Sequence, residues 1–366
     1  MAFTSTTVNS AAAWRPDLYT YEPETVLADA AIMAHSTSGG VIQGDAPAIR
    51  VAFVHDDTAE FYDEGTDIDE GTPGLSEAVV HTRKFAQLIR ISREQYSQVG
   101  TPEHLAYSVN RSMILKADSA FLAQPAPVSP ANAPAPGLAC WSGLVSGIVG
   151  SDLDALVDLD ATVRANLANP TAIIVSPTAW AALRKLKTGS TFNSTLLGAG
   201  TEDAPPMLLS LPVVVNPLMP DRTGLLIDRN SIISAVSPLV VATSLDQYFA
   251  SDSIGVRAIW RTGHVVTRPE RIGLFALPKQ WTVTLGSASA GNFTLSHNGN
   301  PTGNIAYNAS AATVKAALAG ISDSWTATQW TVTGSAGGPY TVTSPGGTLT
   351  GSGSGLTGGT FSVAAA

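Results

Sequence analysis

The chain has 366 residues, a formal net charge of −9, a pI near 5.1 and only 13% charged side chains. That balance excludes whole-chain nucleic-acid binding, which needs a basic footprint, and leaves room only for a local basic patch. Its one cysteine, Cys140, excludes an internal disulfide framework and a cysteine-rich zinc centre, and reads as a small buried hydrophobe.

The opening MAFTSTTVNSAAAWRPD lacks a basic region followed by an apolar core, so no secretory signal is expected there. No run approaches the ~20 apolar residues of a membrane helix. PETVLADAAIMAHS predicts a short helix. AIRVAFV, residues 48–54, and residues 79–91 predict two strands flanking the stretch FYDEGTDIDEGTPG. SREQYSQVG predicts a short helix ended by Gly100. TPEHLAYSVNRSMILKADSAFLAQ predicts a long one, with Thr101 as N-cap, Pro102 at the first helical position and Glu103 in the first turn. Leu105, Val109, Met113, Ala117 and Phe121 recur at four-residue spacing and predict a core-facing stripe.

The proline-rich QPAPVSPANAPAPG cannot continue that helix and predicts an extended connector. A helix is expected from a cap at Ser151 to about Asn169, then a buried strand TAIIV. In SPTAWAALRKLK, Ser176 caps and Pro177 opens a helix on which Trp180, Leu183 and Leu186 share a face. PVVVNP, GLLID, SIISAV and PLVVAT predict short strands. GVRAIWRTGHVVTRPERIGLFAL predicts two more, separated by Arg268-Pro269-Glu270.

Composition breaks at Leu277-Pro278-Lys279. From Gln280 onward Lys315 and Asp323 are the only charged side chains, and Ser/Thr alternate with apolar residues between glycine turns. That period-two pattern predicts a small, independent β-rich module. It holds one helix, with Ala312, Val314, Ala317, Leu318 and Ile321 at helical spacing.

The acidic stretch poses the functional question. A calcium loop begun at Asp67 needs an oxygen donor at position 5, glycine at 6 and glutamate at 12; these positions hold Gly71, Thr72 and Ala78. Nothing nearby supplies the apolar walls that would tune a catalytic carboxylate. The histidines (His35, His55, His81, His104, His264 and His297) lack HExxH or HxH spacing, and no nucleophile elbow or Walker loop is present. No catalytic residue, cofactor or metal ligand is assigned, and no enzyme is expected.

The order of elements resembles the major capsid proteins of tailed bacteriophages, with the Hong Kong 97-type α+β fold. FYDEGTDIDEG followed by VVHTRKFAQLIRISREQY resembles the family's hairpin arm, the E-loop. TPEHLAYSVNRSMILKADSAFLAQ resembles the spine helix, TAIIVSPTAWAALRKLKTG and VVVNPLMPDRTGLLIDRNSIISAV the axial domain, and GVRAIWRTGHVVTRPERIGLFAL the closing strands of the peripheral domain. FTLSHNG, IAYNASAATVKAAL and GGPYTVT resemble an accessory domain on proteins of phages infecting actinobacteria. An immunoglobulin-like sandwich is the alternative for the tail, and its helix counts against that.

The resemblance implies an N-terminal arm over 1–44, an E-loop hairpin over 45–92 and a spine-helix region over 93–124. It further implies a mainly axial segment over 125–245, peripheral closing strands over 246–278 and an accessory domain over 279–366. It implies a homo-oligomer of hexameric and pentameric capsomers in the virion, assembled in the host cytoplasm. A separate scaffolding protein, a portal and non-specifically held packaged DNA would be the partners, with no membrane. The arm would reach over a neighbouring copy. Its acidic residues Asp56, Asp57, Glu60, Asp63, Glu64, Asp67, Asp69 and Glu70 would then meet Arg257, Arg261, Arg268 and Arg271, or Arg111 and Lys116 on the spine helix. The arm has no lysine between Val51 and Arg83, so no Lys–Asn cross-link is expected. An encapsulin-like shell shares the fold. A carbohydrate-binding or adhesin protein built on the tail is the reading from a different class.

Overall fold

The computed structural model describes residues 19–21, 30–44, 46–55, 61–62, 65, 67, 74–97, 101–187, 195–197 and 205–366. In chain order come β1 (Tyr19–Tyr21), α1 (Ala31–Ala34), β2 (Thr37–Val41), β3 (Ala48–His55), β4 (Gly74–His81) and β5 (Arg83–Ser92). The helices α2 (Arg93–Tyr96) and α3 (Thr101–Ala123) follow. Next are β6 (Val145–Ile148), α4 (Asp154–Ala165), β7 (Ala172–Val175) and α5 (Pro177–Arg184). Then come β8 (Met207–Leu208), β9 (Leu211–Val215), β10 (Thr223–Ile227), β11 (Ile232–Val236), β12 (Leu239–Tyr248), β13 (Ser253–Val266) and β14 (Gly273–Ala276).

The chain divides into two compact units. One comprises residues 1–26, 37–109 and 233–267, the other 27–36, 110–232 and 268–366. In the first, a sheet runs β1-β12-β13-β11-β2, with β5 also paired to β13, while β3 and β4 form a separate antiparallel ribbon. Ile91, Tyr96, Ile254 and Val256 make a small core against which Leu105 of α3 packs. Val109, Met113, Ala117 and Phe121 are buried as their spacing predicts.

In the second unit, the sheet order is β6-β14-β10-β7-β9-β8. Its core joins Leu156, Leu159 and Val163 of α4 to Leu183 of α5 and to Ile173, Val213 and Phe275 of the strands. Trp180 and Leu186 pack partly buried against it, and the Ser176 hydroxyl accepts from the Ala179 N–H at 3.1 Å as the capping pattern requires.

Four local expectations are corrected. Thr101 is the first helical residue of α3 instead of its cap, which leaves Pro102 in the first turn, where a missing N–H costs nothing. Ser151 does not cap α4; Asp152 Oδ1 accepts from the Asp154 N–H, and Leu153 occupies the cap position. The helix ends at Ala165, before Asn169, because Leu167 turns left-handed at φ 60°. Finally, the two strands before and after Arg268-Pro269-Glu270 do not stay together. β13 pairs with β12 and β5 in the first sheet, β14 with β10 and β6 in the second.

A buried carboxylate holds the start of the second unit. Asp118 of α3 accepts from the Ala31 N–H and from Asn216 Nδ2, each at 2.7 Å. Burial pushes its pKa up, and those two hydrogen bonds only partly offset the shift.

The tail forms two four-stranded sheets from β15 (Lys279–Thr284), β16 (Ala290–His297), β17 (Asn300–Pro301), β18 (Ile305–Ala306), β19 (Thr331–Gly334), β20 (Tyr340–Ser344), β21 (Leu349–Thr357) and β22 (Ser362–Ala365). The helix α6 (Ala311–Ala319) lies where predicted, capped by Ser310, with Val314, Leu318 and Ile321 buried. Ala312 is exposed, so the apolar stripe is narrower than its spacing predicts. No helix among the described residues is long and apolar enough to cross a membrane.

Candidate functional site

Strand register assembles a basic surface on the first sheet. Along β5, Lys84, Ala86, Leu88 and Arg90 alternate outward; Phe85, Gln87, Ile89 and Ile91 are less exposed. Opposite them on β13 stand Arg261, Ile259, Arg257 and Gly255, in that order. Val240, Ala242 and Ser244 of β12 continue the same face. These registered positions carry four cations and no carboxylate.

The surface is shaped as well as charged. A groove of about 530 Å³ is lined by Leu88, Ala242, Ser244, Gln247, Gly255 and Arg257. A Cβ on Gly255 would lie 2.9 Å from Gln247 Oε1 and 3.3 Å from the Tyr248 ring, so glycine keeps the groove open. Arg90 stacks 4.7 Å above Tyr248 and donates to Ser251 Oγ. Arg261 donates to Thr82 Oγ1 at 3.2 Å.

Of the acidic positions, Asp56, Asp57, Glu60, Asp63, Glu64, Asp69 and Glu70 lie outside the described residues. Asp67 is exposed. Glu77 pairs with Arg50 at 3.3 Å, both highly exposed, a contact worth little to stability. Phe61, among the acids, is fully exposed. Arg257 and Arg261 share the basic surface, whereas Arg268 and Arg271 belong to the other unit. Arg111 and Lys116 are exposed on α3. Lys84 and Arg90 were not expected as partners. The signal for them was the outward alternation in RKFAQLIRIS, readable only once β5 is known to pair with β13.

A second feature is the seam that binds the tail within the second unit. Lys279 Nζ meets Asp221 Oδ2 at 2.6 Å, Thr178 Oγ1 donates to Asp221 Oδ1, and the Gly347 N–H donates to the Asp221 carbonyl. Burial raises the Asp221 pKa, but the hydrogen bonds from Lys279 and Thr178 and the charges of Lys279 and Arg222 outweigh it and hold the carboxyl below its ordinary value. Ser324 Oγ donates to the Trp141 carbonyl at 2.6 Å and accepts from the Leu144 N–H at 2.8 Å. Asn300 Oδ1 accepts from the Ala126 N–H at 2.9 Å. Thus the tail is bonded to the body as well as covalently continuous with it. Behind the seam lies Cys140, buried, its thiol pushed up to about 12 mainly by burial. Among the described residues, no three His, Cys, Asp or Glu side chains are placed to hold a metal ion.

Comparison with known proteins places residues 27–276 in register with the phage capsid family. No curated protein matches the sequence. Among solved structures, the capsid of an empty GTA particle computed with C5 symmetry matches with a TM-score of 0.52 at 18% identity, over 68% of this chain and 90% of that one. A structure from Gordonia phage Cozz matches with a TM-score of 0.52 at 14% identity, over 74% and 91%. One from Microbacterium phage Oxtober96 gives 0.51 at 12%, over 74% and 96%. At such identities the likeness establishes the fold.

Proposed function

The chain belongs to the phage capsid family and is a major capsid shell protein. From that premise we propose that its copies are joined through the acidic arm tip of one and the basic sheet face of another. In this reading the chain is a structural component of the virion and performs no catalysis. Residues 1–44 serve as an N-terminal arm, 45–92 as the hairpin arm and α3 as the spine. The six-stranded sheet of the second unit is the axial domain, and residues 279–366 are an accessory domain. Identical copies in hexameric and pentameric capsomers, a scaffolding protein, a portal and non-specifically held double-stranded DNA are the partners, with assembly in the host cytoplasm.

One observation carries the arm contact. A loop whose charges only keep it soluble has no use for a fully exposed phenylalanine, yet Phe61 stands among the carboxylates. An apolar anchor ringed by acids suits a groove that has Leu88 beside Arg257. Reversing Asp67, Asp69 and Glu70 to lysine is expected to lower the yield of assembled particles at least tenfold at low salt, read by sedimentation. Adding Arg257→Glu and Arg261→Glu in the same chain is expected to recover part of it. Assembly of the first variant at the wild-type level would sink the contact.

For the tail we propose a stabilising role on the outer surface of the shell, without covalent cross-links between subunits. Among the described residues, no large apolar side chain beyond Phe249 is exposed, which suits a surface facing solvent. The tail's tryptophans Trp281, Trp325 and Trp330 are buried, which removes them as a stacking platform for a glycan. Because the seam bonds the tail to the body, protease is expected to release residues 279–366 slowly from wild type. Release from a variant carrying Asp221→Ala and Ser324→Ala is expected to be several-fold faster. Equal rates would show that the seam does not hold it.

A further inference from the structure

We infer that one buried histidine, His297, latches the tail to the body by holding a proton against Asp323, and that withdrawing this proton opens the latch. The inference concerns a joint inside one chain and does not rest on the shell reading.

His297 ends β16, and the parts of the tail gathered around it are those that bond to the body. Its Nε2 lies 3.1 Å from the Gly346 carbonyl, and the next residue, Gly347, donates its N–H to the Asp221 carbonyl. Its ring meets Trp330 edge-on at 4.9 Å, and the preceding Gln329 donates to Ser146 Oγ at 3.0 Å. Its Nδ1 lies 3.6 Å from Asp323 Oδ2, and the following Ser324 bonds to Trp141, Leu144 and Ser146. Its register partner on β17 is Asn300, which accepts the Ala126 N–H. Contacts with four stretches of the body therefore converge on one imidazole.

Hydrogen bonding fixes the state of that ring. A carbonyl oxygen only accepts, so Nε2 carries a hydrogen and donates to Gly346. A neutral ring would then leave a bare lone pair on Nδ1, facing a carboxylate. No donor serves it: Nδ1 is buried without a hydrogen-bond partner, and Asn300 Nδ2 and Trp330 Nε1 are themselves unpartnered. Solvent does not reach the pair, since the His297 side chain is 0% exposed and that of Asp323 3%. Lone pairs set against each other in a dry interior repel. A buried carboxylate is also costly to keep ionised with no cation beside it. A proton on Nδ1 removes both costs and makes the contact an imidazolium–carboxylate pair, while Asp323 Oδ1 accepts from the Trp325 N–H at 3.0 Å.

The other ionisable groups around the joint do not substitute for this pair. Cys140, from the body, lies near Asp323, but its thiol is pushed up to about 12 and stays neutral. Beyond the Gly346–Gly347 turn, Asp221 is paired with Lys279 at 2.6 Å, with Arg222 beside it. Among the described residues, His297 is the ion-pair partner of Asp323.

Attachment of the tail then depends on pH. With the proton in place, Asp323 is neutralised and Ser324 stays against Trp141 and Leu144. Without it, repulsion drives Asp323 away from His297 and loosens Ser324 with it. Histidine is the side chain suited to this, because it exchanges its proton near neutrality. The direction is opposite to that of Asp221, whose support for the seam is lost in acid; the latch is lost as pH rises.

Protease release of residues 279–366 from the full chain, followed from about pH 6 to about pH 9, tests this. Asp323→Asn is the comparator at each pH, so that changes in the protease itself cancel. Its amide donates to a neutral Nδ1, and its oxygen still accepts from the Trp325 N–H. The ratio of the wild-type rate to the Asp323→Asn rate is expected to rise roughly fivefold over that range. In nitrogen NMR of the histidine-labelled wild-type chain at neutral pH, both ring nitrogens of His297 should carry protons; its signal is the one lost in His297→Gln. A rate ratio that does not change with pH overturns the latch. So does a His297 ring with a bare Nδ1 at neutral pH, a measurement that stands even if Asp323→Asn fails to fold. Either result leaves the shell reading untouched.

Discussion

Trp260→Ala is expected to destabilise the protein by about 3–5 kcal/mol, the range for removing a large aromatic from a packed interior. Trp260 is fully buried on β13. Its register partner on β5 is Phe85, whose ring meets it edge-on at 5.5 Å and 72°. The indole N–H donates to the Ser237 carbonyl at 2.8 Å, tying the end of β11 to the same side chain. One residue therefore holds β5, the central strand β13 and the turn after β11. Urea unfolding of the purified chain would show the loss as a lower midpoint. Trp260→Phe should recover most of the buried area and forfeit about 1 kcal/mol for the missing hydrogen bond. A Trp260→Ala midpoint equal to wild type would show that β5 is held by its backbone ladder alone. Since Lys84, Arg90, Arg257 and Arg261 are set by that ladder, the basic surface should be lost together with stability.

Asp118→Leu is expected to cost about 2–6 kcal/mol, because it leaves two buried donors, the Ala31 N–H and Asn216 Nδ2, without acceptors at about 1–3 kcal/mol each. Leucine repeats the branching of aspartate with bulkier methyl groups in place of the two oxygens, so the loss combines the missing acceptors with some overpacking. Hydrogen exchange should rise at residues 30–36 and around Asn216 before the rest of the second unit.

The wild-type residue also carries a pH dependence of known sign. Its folded pKa lies above the ordinary 3.8, so the carboxyl takes up a proton more readily folded than unfolded. That contribution is complete below 3.8 and is lost as pH rises through the folded value. Asp118→Asn should abolish it, flattening the stability profile just above pH 4. Asp221 has the opposite sign: held below 3.8, it supports the tail seam above that pH and loses its effect as pH falls through the folded value. A stability difference between wild type and Asp118→Asn that does not change with pH would show that Asp118 titrates normally.

Much of the architecture was legible in the residues. Ser176-Pro177 begins a helix because a hydroxyl and a ring-locked φ suit those positions wherever the segment sits. The stripe from Val109 to Phe121 is buried because four-residue spacing leaves it a single face. The tail announces itself at Lys279 through loss of charge and the change to period-two alternation. Failure of the acidic stretch as a calcium loop was decided by Gly71, Thr72 and Ala78 alone. In each case the cause lies within a few residues, and a sequence is a complete record of what lies within a few residues.

What the tertiary structure decided is everything that depends on which strand lies beside which. Nothing local says that β13 joins one sheet and β14 the other across a short connection, because both read as the same kind of apolar strand. The basic surface exists only because β5 and β13 align Lys84 with Arg261 and Leu88 with Arg257; a shift of one residue would turn the cations inward. Arg268 and Arg271 looked equivalent to Arg257 and Arg261 along the chain and are not on that surface. The tail's seam brings Ser324 to Trp141 and Lys279 to Asp221 from far apart in sequence. Its partners are ordinary serine, lysine and aspartate, chosen by proximity alone.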